Sequence, residues 1–339
     1  MTINTAIDIR ERNLERIRSA IQRHETCTKT EIARETELSM ATTSTALNEM
    51  LISGEIAKID QTGVSIGRPA DIFAYNPDHL HTLAICTTMK NGTDAVEYII
   101  ADALGRIIQR ESQPIASVSA ELLEALVTTC IVQDPLIRTV GLGIPGHAQS
   151  GCITQCDIAA LEGVDFASRI RAKHDVAVVV ENDMNIITYC LYQELDCPQD
   201  DFAALYFPTQ ENSFVGGGFI IGGRLHKGWT MFSGEVSYIA RAFGFSSADQ
   251  AALPRERGAF CRFAAQIVTT VVCTINPPRI VIMGEALAET DLPDICGYCR
   301  QFIPAHNVPE LRIDNNIFDN YAEGLVRLTL DHVLFPTLI

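Results

Sequence analysis

From Leu83 to the C-terminus the chain consists of short apolar runs joined by tight turns, and one succession recurs: a strand meander followed by alternating helix and strand. Apolar faces of this kind must be covered by another layer, so the pattern predicts two similar α/β lobes with a cleft between them. In the first, strands are expected at residues 83–86, 96–101 and 107–108, with Asp102-Ala103-Leu104-Gly105 as the last turn, then a helix at 120–132 and a strand at 139–144. A strand at 176–180 and a helix at 184–194 lead into the second lobe, with strands at 202–207 and 214–221, a long helix at 258–275 and a strand at 279–283. A last helix, 321–334, is placed to pack back on the first lobe. The lobes divide as 78–187 and 188–320.

Residues 1–77 read differently. Leu14, Ile17 and Ile21 recur at helical spacing among Arg10, Arg12, Arg16, Arg18 and Arg23, which predicts an amphipathic helix with a basic outer face. Thr28-Lys29-Thr30-Glu31 matches a capping box opening a short second helix through Ile32 and Ala33, with a break at Glu37-Leu38. Ser39 can cap a third helix whose buried stripe includes Ala46, Leu47, Met50 and Leu51, ended by Gly54. Extended runs at 55–59 and 72–75, joined by a turn at Gln61-Thr62-Gly63 and closed by Asn76-Pro77, add a wing. A winged helix-turn-helix lays its third helix in the major groove, where Thr42, Thr43, Thr45 and Asn48 would face base edges or phosphates. No Lys or Arg lies between Ser39 and Ser53, so phosphate attraction falls to Lys29, Arg34, the first helix and the wing. Arg68, within Gly67-Arg68-Pro69, suits a narrow minor groove. The plainer alternatives are a helical bundle with a hairpin that touches no DNA, and an ordinary turn arginine at 68.

Charge limits the partners. With 26 Lys and Arg against 42 Asp and Glu in 339 residues, the net charge of −16 argues against a protein that coats nucleic acid or anionic membrane everywhere, leaving room for one local contact face. Residues 1–80 hold nine basic and twelve acidic side chains and the remainder 17 and 30, so neither part is basic overall. No apolar run approaches the roughly 18–20 residues of a membrane span, and residues 1–12 lack the apolar region of a signal peptide. A cytoplasmic chain with no membrane partner is expected. Eleven cysteines, mostly inside apolar segments (Cys86, Cys130, Cys190, Cys273), suit buried free thiols.

Several motifs together resemble the ROK group of repressors, open reading frames and sugar kinases: Gly141-Leu142-Gly143-Ile144-Pro145-Gly146, Glu181-Asn182-Asp183-Met184-Asn185, Gly222-Gly223-Arg224-Leu225-His226-Lys227-Gly228 and Ser233-Gly234-Glu235-Val236, behind a winged helix ending in Gly-Arg-Pro and Asn-Pro. The resemblance runs from about residue 10 to the C-terminus. It implies an N-terminal winged helix-turn-helix on a two-lobed sugar-kinase/actin-like α/β fold (RNase H-like), usually dimeric, with sugar in the cleft. By the same match Asp183 stands at the family's general-base position, and Asn182, Glu235 and Gly146 join it in the ligand-binding set. Asn182 and Asp183 can equally cap the helix that follows.

The departures point away from phosphoryl transfer. Where family kinases carry Asp-x-Gly-x-Thr, this chain has Cys86-Thr87-Thr88-Met89-Lys90. Their glycine-rich second loop corresponds to Asn212-Ser213-Phe214-Val215-Gly216-Gly217-Gly218, where Phe214 would obstruct the approach of backbone N–H groups to phosphate, and their adenosine-side Gly-Gly reads Gly284-Glu285. The family's zinc histidine is Tyr238 here, its cysteine cluster is missing, and Cys296-Gly297-Tyr298-Cys299 reads as a pair of structural thiols. The expectation is a transcriptional regulator with a catalytically inactive sensor module: no cofactor, no metal, a double-stranded DNA operator, a sugar or sugar phosphate effector, and a homodimer or higher homo-oligomer. The alternatives are an ATP-dependent sugar kinase retaining Asp183 as base, and a DNA-binding dimer that has lost its effector.

Overall fold

The computed structural model describes residues 6–59, 71–90, 93–115, 117–195, 200–209 and 214–337. An N-terminal helical unit comprises α1 (Ala6–His24), β1 (Thr26–Thr28), α2 (Lys29–Thr36), α3 (Met40–Ile52), β2 (Ile56–Ile59) and β3 (Ile72–Tyr75). Its strands form an antiparallel sheet in the order β1-β3-β2. The local signals act as the spacing demands. Thr28 and Glu31 form the reciprocal capping box of α2, and the Ser39 hydroxyl accepts from the Thr42 N–H at the start of α3. Gly54, with φ of +78°, stands just past the last turn of α3. Ile17, Ile21, Ile32, Leu47, Met50 and Phe73 close the core of this unit. Gln61-Thr62-Gly63 and Gly67-Arg68-Pro69, the wing tip of the sequence reading, lie outside the described residues.

The first lobe holds β4 (His81–Lys90), β5 (Thr93–Ala101), β6 (Ile107–Ile115), α4 (Ala120–Gln133), β7 (Ile137–Ile144), a hairpin of β8 (Gly146–Gln149) and β9 (Cys152–Cys156), α5 (Phe166–Arg171) and β10 (Ala177–Asn182). Helix α6 (Asp183–Gln193) leads to the second lobe, with β11 (Phe202–Tyr206), β12 (Gly216–Ile221), β13 (Arg224–Leu225), α7 (Ser237–Ala242), α8 (Ser247–Ala252), α9 (Arg257–Ile275), β14 (Arg279–Met283), α10 (Leu292–Phe302) and β15 (Glu310–Ile313). Helix α11 (Ile317–Leu334) ends the fold.

The two sheets share one design. The first runs β10-β7-β4-β5-β6 and the second β13-β12-β11-β14-β15. Read from the first strand of each, an antiparallel meander of three strands extends to one side and two parallel strands to the other. In the parallel halves Leu83 faces Val140 and Ala203 faces Ile280. Helices α4 and α5 bury one face of the first sheet, and α9 and α10 cover the second. The hairpin β8-β9 and strand β15 were not legible in the sequence, because their alternation is short and only partly buried.

Helix α9 departs from the expectation that no segment is long and apolar enough to span a membrane: its length and composition pass that test, despite Arg262, yet half of it lies inside the fold. Phe260, Ala264, Val268 and Val271 sit in the second-lobe core. Ten described cysteines are free, and Cys273, expected inside, is exposed because it falls on the outer face of α9.

Candidate functional site

A cavity of about 1050 Å³ opens between the lobes at the carboxyl ends of β7 and β10, the position where open α/β sheets bind ligands. Asn182 closes β10 and caps α6: its carbonyl oxygen accepts from the Asn185 N–H at 3.1 Å, and its amide donates to the Gly146 carbonyl at 2.9 Å. A Cβ on Gly146 would meet the Gln155 carbonyl at 2.2 Å, so only glycine lets the hairpin close and present that carbonyl. Asp183 accepts from the Met184 N–H at 2.7 Å. Capping therefore uses one edge of each side chain, while both still line the cavity. Glu181 turns away from it: one oxygen accepts from Asn185 at 2.9 Å and the other pairs with Lys227.

Glu235 reaches the same cavity from the turn before α7, and its carboxylate meets His147 Nε2 at 3.1 Å. That contact holds His147 above its ordinary range. Burial raises Asp157, with Glu235 adding to the shift. Burial also dominates at Asp183, which is enclosed at the junction of β10 and α6 with Asp157 and Glu235 near it, and pushes its carboxyl up to about 7. Asn182, Asp183, Glu235 and Gly146 are thus brought together. Sequence reasoning missed His147, Asp157 and Tyr206 in the same wall; Tyr206 donates a hydrogen bond of 2.9 Å to Glu285, which the sequence places only as a departure on the adenosine side. No spacing signal marks them; His147 lies in the first strand of the hairpin and Asp157 just after its second, and only the tertiary fold returns both to the strand ends.

The two loops that depart from the kinase pattern have other uses. Cys86 is buried and its thiol pushed up by burial, while the Thr87 hydroxyl is spent on the Gly143 carbonyl at 2.8 Å. Gly218 permits helix packing, since a Cβ there would meet the Thr188 hydroxyl at 2.1 Å and the Met184 carbonyl at 2.8 Å. Phe214 lies under Arg241, whose guanidinium carbon is 4.3 Å from the ring centroid; Asn212 and Ser213 fall outside the described residues. Cys299 is buried and Cys296 half-buried, and no group of three or more His, Cys, Asp or Glu among the described residues could hold a metal ion.

In the N-terminal unit the expected face of α3 divides. Thr45 and Asn48 are exposed and Thr42 is half-buried, its hydroxyl 2.9 Å from that of Ser39. Thr43 is a correction: it is fully buried and donates to the Ser39 carbonyl at 3.0 Å. Its spacing with Ala46, Leu47 and Met50 puts it on the core stripe, so it cannot reach a base edge. The basic face of α1 is also reduced, because Arg10 pairs with Glu49, Arg18 with Glu55 and Arg23 with Glu35. Lys29 and Arg34 on α2, with Arg12 and Arg16 on α1, carry no ion pair among the described residues; Arg68 lies outside them.

Helix α11 joins the two regions. Ile317, Phe318 and Tyr321 at its start line the cavity, and the Tyr321 hydroxyl donates to the Thr87 carbonyl at 3.2 Å. At its far end Arg18 donates to the Leu334 carbonyl and lies 5.5 Å from the Phe335 ring centroid, while Glu15 accepts from the Thr337 N–H at 2.8 Å.

Two duplicated α/β lobes around a cleft of carboxylates and amides define the class of two-lobed sugar-kinase/actin-like folds. Residues 86–245, a little under half of the chain, match the model of the ROK family. Over its whole length the fold is similar to that of a ROK family transcriptional regulator described as a homologue of the E. coli MLC protein, with TM-score 0.74, 14% identity, and coverage of 97% of this chain and 99% of that one. A ROK hexokinase from Thermus thermophilus aligns with TM-score 0.58 and 16% identity over 75% of this chain and 99% of its own. An N-acetyl-D-glucosamine kinase of Vibrio cholerae is 30% identical over 121 residues, covering 35% of this chain and 39% of the kinase, so the chain spans well under half the length of that relative.

Proposed function

We propose that this protein is a DNA-binding transcriptional regulator, acting as a homodimer or higher homo-oligomer, whose kinase-derived module senses a sugar or sugar phosphate and no longer transfers phosphate. Residues 1–77 act as a winged helix-turn-helix, with α3 in the major groove of a double-stranded operator. Thr42, Thr45 and Asn48 face the bases, while Lys29, Arg34 and the wing with Arg68 face phosphates or the minor groove. Asn182, Asp183 and Glu235 hold ligand hydroxyls, with Gly146 orienting Asn182. The observation that carries the reading is α11: one end lines the cavity and the other is clamped to α1, so a ligand that shifts lobe closure acts directly on the N-terminal unit. In a dimer this changes the separation of two reading helices, on which operator affinity depends.

The test is selection of bound genomic fragments followed by fluorescence anisotropy. Expected is a dissociation constant on the order of 10 nM or tighter for a selected fragment. Thr45→Ala and Asn48→Ala should each weaken it by about 1–3 kcal/mol while leaving the melting temperature unchanged. Absence of any selective fragment, or affinity equal to the parent's in both variants, refutes the DNA-reading assignment.

A second reading, an ATP-dependent sugar kinase, is favoured by Asp183 alone: a carboxyl raised to about 7 is well poised to take a proton from a sugar hydroxyl near neutral pH. Against it stand the buried Cys86 and the ring of Phe214, which leave no carboxylate for a metal on β4 and no open glycine loop for phosphate. Incubation with MgATP and a panel of hexoses and hexosamines should give no turnover; turnover abolished by Asp183→Asn would establish the kinase instead.

A further inference from the structure

The cavity is not uniform in charge. Its lining carries Asp157, Asp183, Glu235 and Glu285, and one arginine, Arg241. Asp157, Asp183 and Glu235 cluster with His147 around the end of β10, as their mutual influence shows. Arg241 stands apart on α7, its guanidinium carbon 4.3 Å from the Phe214 ring centroid and 4.9 Å from that of Tyr238, one turn earlier on the same helix. Both rings line the cavity with it. No carboxylate pairs with Arg241 among the described residues, and none of its N–H donors is hydrogen-bonded there. This contrasts with Arg10, Arg18, Arg110, Arg169, Arg257 and Arg279, each of which has an acidic partner.

An arginine held against aromatic rings keeps its orientation without spending its donors, since cation–π attraction asks nothing of the N–H groups. What such a planar fork of donors recognises is a carboxylate or a phosphate, bound through two parallel hydrogen bonds. Elsewhere in the cavity the carboxylates repel an anion and favour hydroxyl groups. The two ends therefore ask for different chemistry in one molecule. We infer that Arg241 is the anion-binding group of this cavity, and that the ligand is a polyhydroxyl molecule bearing one acidic group, either a phosphate ester or a carboxylate. Phe214 and Tyr238 are positioning residues for Arg241. This rests on the sensor reading above and narrows it: neutral sugars are weak ligands, and the hydroxyls sit at Asn182, Asp183 and Glu235 while the acidic group sits on Arg241.

The test is titration calorimetry of the full chain with a neutral hexose, the same hexose as its 6-phosphate, the corresponding hexonate, inorganic phosphate and ADP, repeated on Arg241→Gln and Arg241→Lys. Arg241 is exposed, so both variants should melt where the parent does. Expected is binding of the phosphate ester or the hexonate, whichever is the natural class, about 10- to 100-fold tighter than of the neutral hexose. Arg241→Gln should remove that advantage and Arg241→Lys should restore part of it, while affinity for the neutral hexose stays the same in all three proteins. Equal binding of neutral and acidic sugars in parent and variants overturns the inference and leaves the sensor reading standing. Binding of ADP but of no acidic sugar overturns it in favour of a nucleotide subsite. Failure of every probe to bind refutes the inference and the sugar-sensor reading together.

Discussion

Asp183 shows how one residue can carry a local role and a distant one. As an Asp at the start of α6 it accepts the Met184 N–H, which sequence alone suggests; as a carboxyl enclosed beside Asp157 and Glu235 it is raised to about 7, which sequence cannot suggest. Its folded value lies above the ordinary value of 3.8, so between about pH 4 and pH 7 the native state holds a proton that the unfolded chain has released. Stability therefore falls as pH rises through that window and levels off above it. His147 adds the same sign, because a histidine raised by Glu235 stabilises the fold below its unfolded value and loses that contribution as pH rises through the folded one. Asp183→Asn keeps the acceptor for Met184 and removes the buried charge. The variant should match the parent near pH 4 and exceed it at pH 8 by up to about 4 kcal/mol, at about 1.4 kcal/mol per pKa unit. Melting curves at the two pH values decide it, and a less stable variant at pH 8 would show that the carboxylate is ionised and well solvated in the native state. Thr43 teaches the opposite lesson: its position on the core stripe is readable from spacing with Ala46, Leu47 and Met50, and grouping it with its exposed neighbours overlooked that periodicity.

At the scale of elements, the crossing of α6 and α11 sets local preference against packing. Gly324 lies inside α11, where host–guest propensities favour alanine by about 1 kcal/mol. A Cβ there would meet the Ile186 carbonyl at 2.5 Å and the Cys190 side chain at 2.9 Å. The partner atom is backbone, so the helices must separate. Gly324→Ala should therefore destabilise by about 1–3 kcal/mol despite its better propensity, as read by chemical denaturation. A stabilised variant would mean the crossing yields easily. The capping box at Thr28 and Glu31 and the strand cores of this fold were legible because they are written in neighbouring residues. Gly324 was not, because the residues it spares belong to a different helix more than a hundred positions earlier.

For the whole molecule the decisive contact is between residues more than three hundred positions apart. Arg18 is half-buried between Glu55, the Leu334 carbonyl and the Phe335 ring, with a hydrogen bond of 3.1 Å from its second nitrogen to Glu55, and Glu15 holds Thr337 beside it. Arg18→Ala leaves the carboxylate of Glu55 buried and unpaired, which should cost about 3–5 kcal/mol and free the N-terminal unit from α11. Arg10→Ala removes an exposed pair with Glu49 and should cost less than about 1 kcal/mol. Limited proteolysis distinguishes them: rapid cleavage between the N-terminal unit and β4 is expected for the first variant and not for the second. Equal protection in both would remove Arg18 from the link between cavity and N-terminal unit.

The sequence by itself determined what short-range interactions and periodicity determine. The box at Thr28 and Glu31, the cap at Ser39, the stop at Gly54, the apolar alternation of both sheets and the duplicated order of elements all depend on residues a few positions apart, and all are visible in the folded chain. It also contained, as two separate strings, the motif around Asn182 and Asp183 and the motif around Glu235. Only the tertiary structure decided what surrounds those residues. Bringing His147, Asp157, Arg241 and Glu285 to one cavity requires the hairpin, α7 and the end of β14 to converge across the cleft. Clamping α1 to α11 requires the two ends of the chain to meet. Burial, charge proximity and close approach are properties of distance in space, and no local pattern of residue types encodes them.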